Sequence, residues 1–195
     1  LGSTSSTTTL TPANSNVASN FTLPPVVGDS AASADVPRVY GPAPGDTSNG
    51  ATNYGWLYNW SAATAGETST SITTGNAPYS ICAKGWRLPT GGVLDSGIGE
   101  FSDLDRAFGG TGVTSVISES PPGNVAKWQY TGPFKGVFSG YAQYTSYQWI
   151  GFSYPSSAQG AWGDLWSSSA HPSEEEHALS GASFTQGRVM PNGPR

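Results

Sequence analysis

The sequence predicts an α+β domain, loop-rich, with short mixed or antiparallel strands and one or two short helices, preceded by an extended N-terminal arm. Three observations carry this. Aromatic residues are dense from Tyr54 onward and sparse before it. The clearest helical period lies at 100–108, where Phe101, Leu104 and Phe108 recur at i, i+3 and i+7. The other apolar residues come in short runs separated by Gly, Pro and Ser, which is strand-and-turn punctuation. A chain of 195 residues holds one ordinary domain plus an extension. The division is placed at residue 35, with an arm over 1–35 and the domain over 36–195.

The arm is rich in Ser, Thr, Ala, Asn and Pro, a composition that favours extended or disordered chain. Pro24, Pro25 and Pro37 keep helix away. Thr is β-prone, and LTPANSNVASNFTLPPVV alternates apolar positions, so the arm is able to dock as a strand, either on its own domain or on a neighbour. The domain opens with a short strand at 36–40, then a turn region and a strand at 54–58. One or two helical turns are expected over 59–65, with Asn59 or Ser61 near the N-cap. A strand at 81–88 and a Gly-rich loop at 90–99 lead to the helix. Ser96 or Gly99 starts that helix, acidic residues in its first turns suit its dipole, and Gly109-Gly110 ends it. Short strands are expected at 113–117, 127–130, 137–141, 148–152, 164–168, 178–184 and 188–190.

Composition excludes several functions. Charged residues are only 11%, under half the usual share, so solubility rests on hydroxyls and amides. That surface suits an extracellular or cell-surface protein. The net charge is −5 with eight scattered Lys and Arg, which leaves no basic stripe for nucleic acid. No polybasic patch or long apolar run points to membrane insertion. The start LGSTSSTTT reads as a processed terminus. Cys82 is the single cysteine, so no intrachain disulfide forms. It reads as a small buried thiol or as one whose partner lies elsewhere.

Three segments in order, YGWLYNWSAATAG (54–66), ICAKGWRLPTGG (81–92) followed by EFSDL (100–104), and FSGYA (138–142) with GAWGDLWSSSA (160–170), resemble the Fibrobacter succinogenes major paralogous domain family. The likeness runs from about Tyr54 to Met190. It implies a C-type-lectin-like fold, shared with formylglycine-generating enzymes and retroelement variable proteins. Trp86 and Leu88 are expected to alternate inward on a strand that Pro89 stops. Phe101 and Leu104 then face the sheet, and Arg87 reaches a carboxylate or backbone carbonyls that hold the loops. Trp56, Trp60 and Trp166 serve as large fillers for a fold with few regular elements. Members usually carry Pro at the place of Ala83. They also run on past the place of Arg195 into a last strand with a second Cys, the natural partner of Cys82.

Without such a last strand an open sheet edge is expected, which an arm from a neighbouring copy is able to fill by strand addition. An extended arm of about 30 residues reaches on the order of 100 Å. The expected function is therefore a non-enzymatic structural or adhesive surface protein, with filament neighbours or a homo-oligomer as partners. The alternative is a receptor or adhesin domain for a glycan or other cell-surface ligand. Its candidate contact residues are Tyr144, Tyr147, Trp149, Tyr154 and Trp162.

Catalytic chemistry is thinly supplied, and no cofactor, metal or catalytic residue is expected. His171 and His177 do not match zinc spacings, and HPSEEEH reads as a solvated loop. Trp162-Gly163-Asp164 resembles the calcium motif of true C-type lectins but has Gly where Asn is needed. Formylglycine-generating enzymes hold copper with two cysteines, and only Cys82 exists here. Asp103 and Asp105 are expected to point outward. Asn20-Phe21-Thr22 and Asn59-Trp60-Ser61 both match the N-glycosylation pattern, with Asn59 partly buried inside its motif.

Overall fold

The structure is a computed structural model. It describes residues 6–25, 36–37, 39–40, 57–68, 75–91, 98–113, 122–129, 131–136, 143–145, 148–150, 162–170, 179–185 and 189–194. The class is α+β, and every strand pairing among the described residues is antiparallel. The strands are β1 Thr8–Leu10, β2 Phe21–Leu23, β3 Val39–Tyr40, β4 Leu57–Tyr58, β5 Gly75–Asn76, β6 Gln143–Thr145, β7 Gln148–Ile150, β8 Trp162–Ala170, β9 Leu179–Thr185 and β10 Val189–Pro194. Among the described residues the helices are α1 Trp60–Ala63, α2 Glu100–Ala107 and α3 Pro122–Trp128. The main sheet runs β10-β9-β8-β5, and three two-stranded sheets pair β1 with β2, β3 with β4, and β6 with β7.

The extended arm expected over 1–35 is, in residues 6–25, a hairpin built into the chain's own core. Leu10, Val17 and Leu23 are buried in one cluster with Val39, Ala62 and Ile81. Hairpin alternation explains it: Phe21 and Leu23 turn inward while Asn20 and Thr22 stay exposed. The turn between the strands is sewn to the segment after Ser80. Asn16 N–H donates to the Cys82 carbonyl at 2.9 Å, Ser80 N–H to the Asn16 carbonyl at 2.8 Å, and Lys84 N–H to the Asn14 carbonyl at 3.0 Å. The hydrophobic core therefore crosses residue 35.

A second cluster lies between α2 and α3. Trp128 is fully buried among Phe101, Val125, Leu104, Phe108, Phe134 and Leu165. Its ring meets Phe108 edge-on with centroids 5.7 Å apart and lies 4.9 Å from Phe134, geometries that aromatic quadrupoles favour. Residues 127–130 were expected to begin a strand; instead Lys127 and Trp128 close α3. Pro122 occupies the first helical position, where its missing N–H costs nothing. Val125 and Trp128, three apart, bury one face of it.

The strand expected at 81–88 is also absent. Ala83 makes one isolated bridge to Ser15, Trp86 N–H donates back to the Ala83 carbonyl, and Gly85 sits at φ 86°. That turn uses a left-handed backbone suited to glycine, and it breaks the alternation on which the inward placement of Trp86 rested. Trp86 is 74% exposed, and Leu88 is half-buried. No helix among the described residues is long and apolar enough to cross a membrane.

Candidate functional site

Residues 57–66 and 81–91 meet around one stretch of β8, while residues 138–142 lie outside the described residues. Asn59 is the N-cap of α1: its Oδ1 accepts from Ala62 N–H at 3.0 Å and its Nδ2 donates to the Val36 carbonyl at 2.8 Å. The cap fixes Trp60, which is buried and donates its indole N–H to the Ser167 carbonyl at 3.0 Å. Trp166, half-buried, donates its indole N–H to the Tyr58 carbonyl at 2.6 Å. Burial pushes the Tyr58 phenol up to about 12.

Ser167, Ser168 and Ser169 are all buried. The β8–β9 ladder is interrupted between Trp166 and Ala170, and this irregularity frees the serines to serve neighbouring loops. Ser168 gives both its N–H, at 2.8 Å, and its hydroxyl, at 3.2 Å, to the Pro89 carbonyl. Its own carbonyl accepts from Ala77 N–H at 2.7 Å. The Ser169 hydroxyl accepts from Gly91 N–H at 2.9 Å and lies within hydrogen-bond distance of the Asn76 Oδ1. A Ser run in a strand is thus a set of clamps that satisfies buried loop backbone.

The loop after Trp86 is held from its other side by Arg87 and Glu100. Arg87 donates two guanidinium N–H groups to the two Glu100 oxygens, each at 2.6 Å, and one to the Leu88 carbonyl at 3.0 Å. Glu100 Oε2 also accepts from Thr90 N–H at 2.8 Å, while Glu100 N–H donates to the Thr90 carbonyl at 2.9 Å. Gly99, one of the two expected starts, is the N-cap of α2 but offers no side chain, and the reciprocal bonds between Thr90, ten residues upstream, and Glu100 serve the first turn instead. The Arg87 hydrogen bonds first, then the Thr90 N–H, hold the Glu100 carboxyl down at about 2.

Asp103 is exposed and pairs with Arg106 at 2.9 Å. Asp105 was expected to be solvated as well, yet it is 3% exposed. Its carboxylate accepts from Gly112 N–H at 2.8 Å and from Asn124 Nδ2 at 2.9 Å, tying the end of α2 to α3. The helix period alone does not reveal this, because the Gly110–Gly112 turn wraps a face that the period marks as polar.

Of the proposed contact aromatics, the β6–β7 register sets Tyr144 opposite Trp149, and Trp162 begins β8 opposite Thr185. Tyr147, Tyr154 and Trp56 lie outside the described residues, as do His171, His177 and residues 174–176. Cys82 is a half-buried free thiol. Ser167–Ser169 were quoted within GAWGDLWSSSA but given no role, because Ser is abundant throughout the chain, and Trp128 was not singled out because it lies outside the helical period first recognised. Among the described residues no group of three or more His, Cys, Asp or Glu is placed to hold a metal ion.

The geometry defines an α+β domain in which β8, the 87–91 loop and α2 are clamped together beside an exposed indole. No family model, curated protein or solved structure matches the chain.

Proposed function

We propose that this chain is a non-enzymatic extracellular domain of C-type-lectin-like fold that works by surface contact with a glycan ligand on a cell surface. The observation that carries this reading is Trp86. In a chain that buries Trp60 and Trp128 almost completely, Trp86 stands 74% exposed. It sits on a loop immobilised by Arg87–Glu100 and by Ser168 and Ser169. An exposed indole on a rigid loop offers an apolar platform at low entropic cost. Arg87 follows it in sequence, and the half-exposed Arg87–Glu100 pair supplies polar groups on the same loop.

Polymerisation by donation of the N-terminal arm finds less support. Donation requires residues 6–25 to leave their own core, exposing Leu10, Val17 and Leu23. The β10 edge carries Pro191 and Pro194 with a register shift between Met190 and Gly193, features that discourage strand addition.

Glycan-array binding of the full chain beside Trp86→Ala tests the reading. Saccharide binding that falls at least tenfold in the variant, with unchanged stability, supports it. Array binding that is absent, or equal in both proteins, returns the question to a structural role. Filaments of the full chain under negative-stain electron microscopy then favour assembly.

A further inference from the structure

The two N-glycosylation triplets are identical in pattern and opposite in structure. Asn59 is 8% exposed, and both ends of its amide are occupied: Oδ1 by Ala62 N–H and Nδ2 by the Val36 carbonyl. A glycan on Nδ2 would remove the α1 cap and force the segment out of the core. The following residues, Trp60 and Ser61, are buried too, so the triplet offers no accessible hydroxyl.

Asn20 is exposed, in the irregular link between the bend at Ala18 and Ser19 and the start of β2. Alternation puts Thr22 on the same outward side, while Phe21 and Leu23 turn inward. Among the described residues the Thr22 hydroxyl meets the Thr9 hydroxyl at a long 3.4 Å, at an exposed position. The neighbouring Ala18 and Ser19 are exposed and small, so a transferase can approach. The backbone bonds that anchor the hairpin to residues 80–84 are made at Asn14 and Asn16 rather than at Asn20.

We infer that Asn20 is an acceptor site for N-linked glycosylation and that folding closes Asn59. The donor class is an oligosaccharide linked to a lipid pyrophosphate. Nδ2 of Asn20 forms a bond to the anomeric carbon. The anomeric C–O bond breaks, the lipid pyrophosphate leaves with the electron pair, and the Nδ2 proton passes to a base of the transferase. The meeting with such an enzyme in the cell rests on the extracellular reading above; the competence of the site does not.

The test treats the folded full chain with a purified oligosaccharyltransferase and its lipid-linked donor, and reads intact mass and the modified peptide. One glycan per chain is expected, lost in Asn20→Gln and in Thr22→Ala and retained in Asn59→Gln. An unmodified chain, when the same enzyme modifies a standard acceptor peptide, overturns the inference, and so does a glycan at Asn59. Recovery of the chain inside cells would instead defeat the extracellular reading and leave this result standing.

Discussion

The indole N–H of Trp60 donates to the carbonyl of Ser167 at 3.0 Å, across 107 residues of chain. This bond joins α1 to the irregular part of β8 in a fully buried setting. Trp60→Phe keeps most of the ring and deletes the donor, so it isolates the hydrogen bond. We expect a loss of about 1–3 kcal/mol, the cost of leaving a buried carbonyl short of its partner. Trp60→Ala adds a cavity and should cost about 3–5 kcal/mol. Urea unfolding checks both: the midpoint should fall with the slope unchanged.

Glu100 links stability to acid. Its folded pKa is about 2 against an ordinary 4.5. A depressed carboxylate stabilises the fold above its unfolded pKa, and that contribution is lost as pH falls from about 4.5 through about 2. Both partners are roughly half exposed, so solvent screening limits the pair to about 1 kcal/mol. Glu100→Gln should therefore lower the melting temperature modestly at neutral pH and flatten the decline between pH 4.5 and 2. An unchanged acid slope in the variant would show that other carboxylates carry it.

Gly110 lies against the buried Asp105 carboxylate. A Cβ there would fall inside the van der Waals envelope of the Asp105 oxygens. Gly110→Ala must displace Asp105 from Gly112 N–H and Asn124, and we expect a loss of about 2–3 kcal/mol. Gly109→Ala is the contrasting control. Open space surrounds its Cβ position, so its cost is confined to the left-handed φ of 94°, about 1 kcal/mol. Thermal unfolding of the two variants should rank them in that order.

The N-terminal hairpin is part of the folding unit. Leu23 is fully buried in the first core cluster, and Leu23→Ala should cost about 2–5 kcal/mol. Removal of residues 1–25 should abolish cooperative unfolding, because Val39, Ala62 and Ile81 then lose their cover. A truncated chain with a sharp, native-like transition would show instead that the hairpin is an appendage.

How far the sequence could be read depended on whether a feature was local or remote. The α2 helix was legible because its apolar period and its Gly109-Gly110 stop are local signals, and the Asn59 cap because N-cap chemistry lies within three residues. Strands around 148–150 and 164–168 were legible from short β-prone runs. Trp86 misled because alternation assumes a continuous strand, whereas Gly85 turns the chain. Asp105 misled because burial was supplied by the Gly110–Gly112 turn, which no helical period records. α3 was missed because a seven-residue helix carries only two apolar contacts to mark it.

Composition and local pattern were enough for the α+β class, the low charge and the α2 helix. Arg87 could be expected to seek a carboxylate, since a guanidinium beside a loop needs acceptors. Its choice of Glu100, the docking of 6–25 into the core, and the use of Ser167–Ser169 as clamps came only from the folded chain. Each joins residues distant in sequence, and partner choice at that range follows from burial and unsatisfied backbone groups, which exist only once the chain has packed.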